Sequence, residues 1–272
     1  MLKDITLGQF FPGDTVVHRL DPRTKLLWLV LFIVALFLAK GWIGYGLMVA
    51  VTALSMILSH ISPRNIFKGL KPMLFIIIFT AALNLFYTGG TPVLPGWPIT
   101  WEGGARALQM ILRIVLLIAG TFLLTYTTSP MALTDGMERL LNPLKKIGLP
   151  VHEITMMMSM ALRFIPTLIE ETDKIMSAQK ARGADFENGN LLQRAKALLP
   201  ILVPLFVSSF RRADELAVAM ESRCYHGGSG RTRMKQLHFQ ALDLWALALG
   251  ALLLAAMILL HEGIYKAVDP ES

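Results

Sequence analysis

The sequence predicts an all-α membrane protein with about five transmembrane helices and a cytoplasmic part built from long amphipathic helices. Of the 272 residues, 54% are hydrophobic and only 17% are charged, whereas soluble domains usually carry about 25% charged residues. The apolar residues also come in long uncharged runs, as expected of segments that cross a bilayer. Between the fourth and the fifth run, residues 130–244 are too apolar for a water-exposed domain and too interrupted for spans.

Five apolar segments are long enough to cross the membrane or come close to it. A hydrocarbon core of about 30 Å needs about 20 residues in a helix, and helices are expected because backbone groups must be satisfied inside lipid. The first segment is short, but its flanking residues can extend it. The segments are residues 26–39, 41–59, 72–90, 107–129 and 244–260.

The positions of Lys and Arg predict the orientation. Most of the 26 basic residues fall in the N-terminal segment, in the loop 60–72 and in the region 131–235. Because cytoplasmic loops carry an excess of Lys and Arg, the N-terminus and the long insert are expected inside and the C-terminus outside. The predicted parts are residues 1–129 with four spans, a cytoplasmic part at 130–237 with three helices, and 238–272 with the last span.

The insert contains two long helical runs that end in the same kind of triplet. The triplets are a small residue, an arginine and a small residue, and they recur 41 residues apart, as the pair Arg182 and Arg223 shows. The first consists of Ala181, Arg182 and Gly183, the second of Ser222, Arg223 and Cys224.

The triplets have two interpretations. The ordinary one is a helix cap, in which the arginine offsets the negative end of the helix dipole and Gly183 closes the last turn. Two copies at matched positions favour docking, because small neighbours let a partner approach closely while the guanidinium makes fixed hydrogen bonds.

Two other apolar stretches of the insert have interpretations of their own. Methionines cluster on the first long helix, either as core filler or as an adaptable binding surface, since unbranched side chains repack easily; they are Met156, Met157, Met158 and Met160. Residues 197–210 are uncharged and contain Pro200 and Pro204, and we interpret them as packed under the membrane bundle.

No motif in the chain supplies chemistry of its own. The single Cys224 excludes an internal disulfide and a cysteine-only metal site, and the six histidines have no metal-ligand spacing. Nucleic acid is a poor explanation for the net charge of +7, which cytoplasmic loops explain. Two alternatives stay open: a membrane enzyme acting on lipid-like substrates, and a self-sufficient channel or secondary transporter. Glu170, Glu171 and Asp173 suit a solvated helix face better than a metal site.

Three stretches carry a family resemblance. They are "GQFFPGDTVVHRLDPRTKLL" at residues 8–27, "AQKARGAD" at 178–185 and "AMESRCYHGGSGRTR" at 219–233. With them the chain resembles the transmembrane (T) component of energy-coupling factor transporters, the CbiQ/EcfT-like family, over nearly its whole length. The first stretch is similar to the form that several vitamin transporters share.

This resemblance implies a non-catalytic scaffold in a bacterial cell membrane. Its partners would be two ABC-type ATPases (EcfA and EcfA′-like), which bind ATP and Mg, and an exchangeable substrate-binding S component; the chain itself would bind no cofactor. One triplet would dock on each ATPase, and the methionine region would hold the S component. ATP hydrolysis would change the angle of the crossed helices and so drive uptake of a micronutrient such as a vitamin. The second triplet departs from the common Ala-Arg-Gly pattern.

Overall fold

The computed structural model describes residues 10–92, 100–184, 186, 190–227 and 237–268. These residues fall into two compact units, one formed by 10–137 with 237–268 and the other by the described part of 138–227. The regular elements are helices, with short 3-10 turns at Lys71–Met73 and Asn142–Ile147. The α-helices are α1 Val16–Arg19, α2 Pro22–Leu38, α3 Gly41–Ser59, α4 Pro63–Leu70, α5 Leu74–Tyr87, α6 Trp101–Thr127, α7 Pro130–Leu141, α8 Val151–Ala181, α9 Leu191–Glu221 and α10 Ala241–Val268.

Local side chains set the starts of several helices. Asp21 caps α2 by accepting the N–H of Arg23 at 2.9 Å, and Pro22 follows at the first helical position, where no backbone donor is needed. Thr100 caps α6 by accepting the N–H of Gly103 at 3.0 Å.

Within the described residues, four helical stretches have the length and apolar composition of membrane spans. They are Gly41–Ser59, Pro63–Tyr87, Trp101–Thr127 and Ala241–Glu262. The first predicted span corresponds to α2, which has 17 residues, or about 25 Å at 1.5 Å per residue. The all-α membrane class that the sequence predicts is confirmed.

The short helix α2 contributes the centre of the first unit's core. It packs against α10 and α6, and its Phe32, Ala35 and Leu36 are almost completely buried. Gly120 of α6 allows this packing, because a Cβ atom there would lie 2.7 Å from the Phe32 ring. A second apolar cluster joins α4, α5 and α6, with Tyr126 among its buried side chains.

A buried polar network fixes one end of the same unit. The fully buried Asp243 accepts the backbone N–H of Asp21 at 2.8 Å. Lys25 donates to the carbonyl oxygens of His18 at 3.1 Å and Thr127 at 2.9 Å. The network therefore brings the start of α2, the end of α6 and the start of α10 to one level.

The second unit is dominated by α8 and α9, which have 31 residues each and pack against each other. Both helices continue through prolines, Pro166 in α8 and Pro200 and Pro204 in α9. The predicted ends of the two runs are confirmed, since each helix stops at its triplet.

Candidate functional site: two exposed helix ends

The first triplet closes α8 with a Schellman turn. The N–H of Gly183 donates to the carbonyl of Lys180 at 3.0 Å, and the N–H of Ala184 donates to the carbonyl of Gln179 at 3.0 Å. Gly183 has φ +88°, the left-handed conformation that glycine adopts without a steric penalty. Arg182 is thereby held at the cap position, directly before the turn.

The second triplet closes α9 with the same two hydrogen bonds. Cys224 donates to the carbonyl of Glu221 at 2.8 Å, and Tyr225 donates to the carbonyl of Met220 at 3.0 Å. Each donor and acceptor lies 41 residues after its counterpart in α8. Cys224, with φ +58°, occupies the left-handed position. The sequence repeat is therefore also a repeat of backbone structure, with Arg223 in the place of Arg182.

Both arginines lie exposed at the ends of their helices. All six triplet residues are exposed. Within the described part of the chain, neither guanidinium has a hydrogen-bond or ion-pair partner. Capping accounts for the glycine and the backbone bonds, but it leaves both guanidinium groups available to a partner.

The methionine cluster is divided between exposed and half-buried positions. Met157 is 58% exposed and Met158 is 38% exposed, whereas Met156 and Met160 are half-buried. Core filling therefore explains only part of the cluster.

Helix α9 also has an exposed apolar face, to which the sequence analysis assigned no binding role. Leu199, Val203, Phe206 and Phe210 recur at helical spacing, and each is more than half exposed. The uncharged run 197–210 could have indicated this face, but the sequence analysis interpreted the run as packed under the membrane bundle. In this chain, those four side chains are open.

The sequence interpretation also missed how charged residues pair. Glu171 was placed on a solvated face, but it is half-buried and accepts hydrogen bonds from Ser208 and Arg212 of α9. Asp243 was treated only as the boundary of the last span, yet it is fully buried. The contacts of Glu171 with Arg212 and of Asp243 with the backbone N–H of Asp21 join separate parts of the chain, so only the position of a charge beside an apolar run could have suggested them.

Among the described residues outside the spans, His18 is a titratable group that its surroundings perturb. The His18 ring contacts Thr15 Oγ1 through Nδ1 at 2.6 Å and the Phe11 carbonyl through Nε2 at 3.0 Å. Burial lowers the pKa of this imidazole, and the bond to Phe11 opposes the shift. Among the described residues, no group of three or more His, Cys, Asp or Glu side chains is placed to hold a metal ion.

These features define an all-α integral membrane protein that carries two matched, exposed helix ends. The family described as "Cobalt transport protein", CbiQ, matches residues 13–235. Proteins named energy-coupling factor transporter transmembrane protein EcfT are similar over almost the whole length. The protein of Clostridium kluyveri is 56% identical over 266 residues, with 96% of this chain and 98% of the relative covered.

Two further relatives with the same name extend the comparison. The protein of Ruminiclostridium cellulolyticum is 50% identical over 264 residues, with 96% of this chain and 98% of the relative covered. The protein of Bacillus subtilis is 48% identical over 261 residues, with 95% and 98% covered. The chain belongs to the CbiQ family of energy-coupling factor transporter transmembrane proteins. It is a membrane component of such a transporter.

Proposed function

We propose that this chain is the scaffold that transmits energy in an ATP-driven importer of the energy-coupling factor type. Two partner ABC-type ATPases hydrolyse ATP, and a separate S component binds the micronutrient, a vitamin or a similar compound. The observation that carries the proposal is the pair of matched helix ends, each with an exposed arginine above the same closing turn.

The helix ends suit two partners of similar structure. A guanidinium offers five donors in a rigid fork that matches carboxylates and carbonyl oxygens. The small residues on either side of Arg182 and Arg223 let the walls of a groove come close to the backbone. Because both ends have the same turn, two related ATPases can bind them in the same way, one at each triplet.

The apolar surfaces of α8 and α9 suit the S component. The exposed Met157 and Met158 are adaptable side chains, and the α9 face adds Leu199, Val203, Phe206 and Phe210. We propose that Met156 and Met160 complete the methionine surface. An adaptable surface fits a partner that is exchanged for others with different substrates.

The chain transmits movement and carries out no chemical step in this proposal. ATP and Mg are held by the ATPases, and this chain needs no cofactor. Closure of the ATPases on ATP moves the two docked triplets and changes the angle between α8 and α9. The S component then shifts between outward-facing and inward-facing orientations. The location is the bacterial cell membrane, with the N-terminus and the coupling helices in the cytoplasm and the C-terminus outside.

The experiment is a tagged purification of the chain with its partners from the native membrane, with Arg182→Ala, Arg223→Ala and the double variant. Buried arginines at protein interfaces often contribute about 2 kcal/mol or more, so each single variant is expected to lower recovery of the ATPase that docks at its triplet by about tenfold or more. The exposed Arg211 of α9 provides the control, because Arg211→Ala removes the same charge away from the triplets. Normal ATPase recovery with the double variant contradicts the proposal.

A further inference from the structure

The contact between α8 and α9 is built around one carboxylate. Glu171 accepts hydrogen bonds from the hydroxyl of Ser208 and from Nη2 of Arg212, the latter at 3.3 Å. The Arg212 guanidinium also lies 5.9 Å from the centre of the Phe164 ring. The Glu171 and Arg212 side chains are only 25% and 34% exposed. Partial burial strengthens such a pair relative to one on an open surface.

The contacts show that the two helices run antiparallel. Phe164 of α8 meets Arg212 of α9, and Glu171 meets Ser208. Gln179 Nε2 donates to the carbonyl of Pro200 at 3.4 Å. Residue numbers therefore rise along α8 while they fall along α9, and the two helix ends extend from the contact in opposite directions.

The central ion pair joins equivalent positions of the repeat. Glu171 and Arg212 are 41 residues apart, the same spacing that separates Arg182 from Arg223. Each member of the ion pair thus lies eleven residues before the arginine of its own triplet. At 1.5 Å per residue, both arms are about 16 Å long.

We propose that the contact of Glu171 with Ser208 and Arg212 is the pivot of the α8–α9 pair. Its residues are positioning residues, which stay together while the arms rotate about them. Equal arms then give equal displacements at the two triplets. The inference rests on the proposed function, because it names the fixed point of the movement that the ATPases produce.

Crosslinking distinguishes a fixed pivot from a contact that opens. In a Cys224→Ser background, whose own hydrolysis rate is the reference because Cys224 belongs to the second triplet, Glu171→Cys with Ser208→Cys puts a short bifunctional thiol crosslinker at the contact. Gln179→Cys with Pro200→Cys puts the same crosslinker nearer the end of α8. The rate of ATP hydrolysis is measured in the complete complex before and after crosslinking, and each single-cysteine variant is treated with the same reagent as the control.

The pivot predicts different results for the two crosslinks. The crosslink at 171 and 208 is expected to leave the hydrolysis rate within about twofold of the rate of the same double-cysteine variant before crosslinking, since the distance that it fixes does not change. The crosslink at 179 and 200 is expected to lower the rate about tenfold, because it prevents rotation. Equal inhibition by both, or no inhibition by either, overturns the pivot.

Charge variants give a second readout that does not depend on crosslinking. Glu171→Arg and Arg212→Glu each place like charges at the contact and are expected to lower ATP hydrolysis by the complex about tenfold. The combined variant restores opposite charges and is expected to recover most of the rate, as coupled pairs do in double-mutant cycles. Glu170→Arg, at the exposed neighbouring position, is the matched control. If the combined variant is no better than the singles, the pivot assignment is wrong.

Failure of the pivot is separable from failure of the proposed function. If the chain without substitutions does not bind the ATPases, the scaffold function itself is refuted. Stable, ATP-hydrolysing complexes with the wrong crosslinking pattern would refute only the pivot.

Discussion

At the second triplet, an L-amino acid occupies a backbone conformation that favours glycine. Cys224 has φ +58°, whereas the equivalent position in α8 is Gly183, with φ +88°. A left-handed conformation costs a residue with a Cβ atom roughly 1–2 kcal/mol. The two turns have the same hydrogen bonds, but the second is more strained.

Cys224→Gly is therefore expected to stabilise the turn, by about 1 kcal/mol. Gly183→Ala is expected to destabilise the first turn by a similar amount, and the penalty comes from the backbone alone because, among the described residues beyond its chain neighbours, no atom lies within 4 Å of the added Cβ. The measurement is the midpoint of thermal unfolding of the purified chain in detergent. Cys224→Ala is the control for removal of the thiol, and equal midpoints for the Gly and Ala variants contradict the prediction.

The sequence allowed the triplets to be found but not the contacts that charged residues make with distant parts of the chain. Arg182 and Arg223 belong to a local pattern that repeats, and a helix end depends mostly on nearby residues. The Asp243 carboxylate accepts the backbone N–H of Asp21, 222 residues away, so this contact depends on how α2 packs against α10. No spacing in the sequence encodes that choice, and the same holds for Glu171 with Arg212.

At the scale of helices, hydrophobic length predicted where the spans lie. The span predicted at 41–59 is α3, Gly41–Ser59, while α6 begins earlier than the predicted start at residue 107, at Trp101. The difference has a local cause, since Thr100 caps that helix upstream of the apolar run. Capping and hydrophobicity are separate signals, and the first residue of this helix is set by its cap.

Close packing of two of these helices depends on a glycine. A Cβ atom on Gly120 of α6 would lie 2.7 Å from the Phe32 ring of α2, and Phe32 is only 1% exposed. Gly120→Ala is expected to lower stability by about 1–3 kcal/mol, since overpacking forces strain on a buried side chain.

Gly46 of α3 provides the matched control for this prediction, because no described residue outside its own stretch of helix has an atom within 4 Å of its added Cβ. There the change to alanine is expected to raise helix stability by up to about 1 kcal/mol. Thermal unfolding in detergent measures both variants. A loss of stability with Gly46→Ala equal to that with Gly120→Ala would show that the Phe32 contact is not responsible.

At the scale of the whole molecule, the polar network supports the alternation of spans expected from the charges. The start of α2, the end of α6 and the start of α10 meet around Lys25 and Asp243. Helices α2, α6 and α10 are the first, fourth and fifth spans. Because each span crosses the bilayer once, the start of the first, the end of the fourth and the start of the fifth must lie on the same side. The network shows that the three ends lie together, and the distribution of Lys and Arg predicts that their side is the cytoplasm.

The orientation is tested with single cysteines in a Cys224→Ser background. Gly89→Cys, in the segment between α5 and α6, is expected to react with a membrane-impermeant maleimide in intact cells. Lys145→Cys, before α8, is expected to react only after the membrane is opened. Both positions are exposed, so access to the reagent decides the result. The reverse labelling pattern would invert the predicted topology.

The 17 residues of α2 also link this fold to the thickness of its bilayer. The helix is about 5 Å shorter than a typical hydrocarbon core, and hydrophobic mismatch costs fractions of a kcal/mol per Å. Val30 and Phe37 lie on an exposed side of α2, where thinning of the adjacent lipid is one way to match the short helix. Lipids with shorter acyl chains therefore favour the folded bundle, and lipid composition becomes a determinant of its stability.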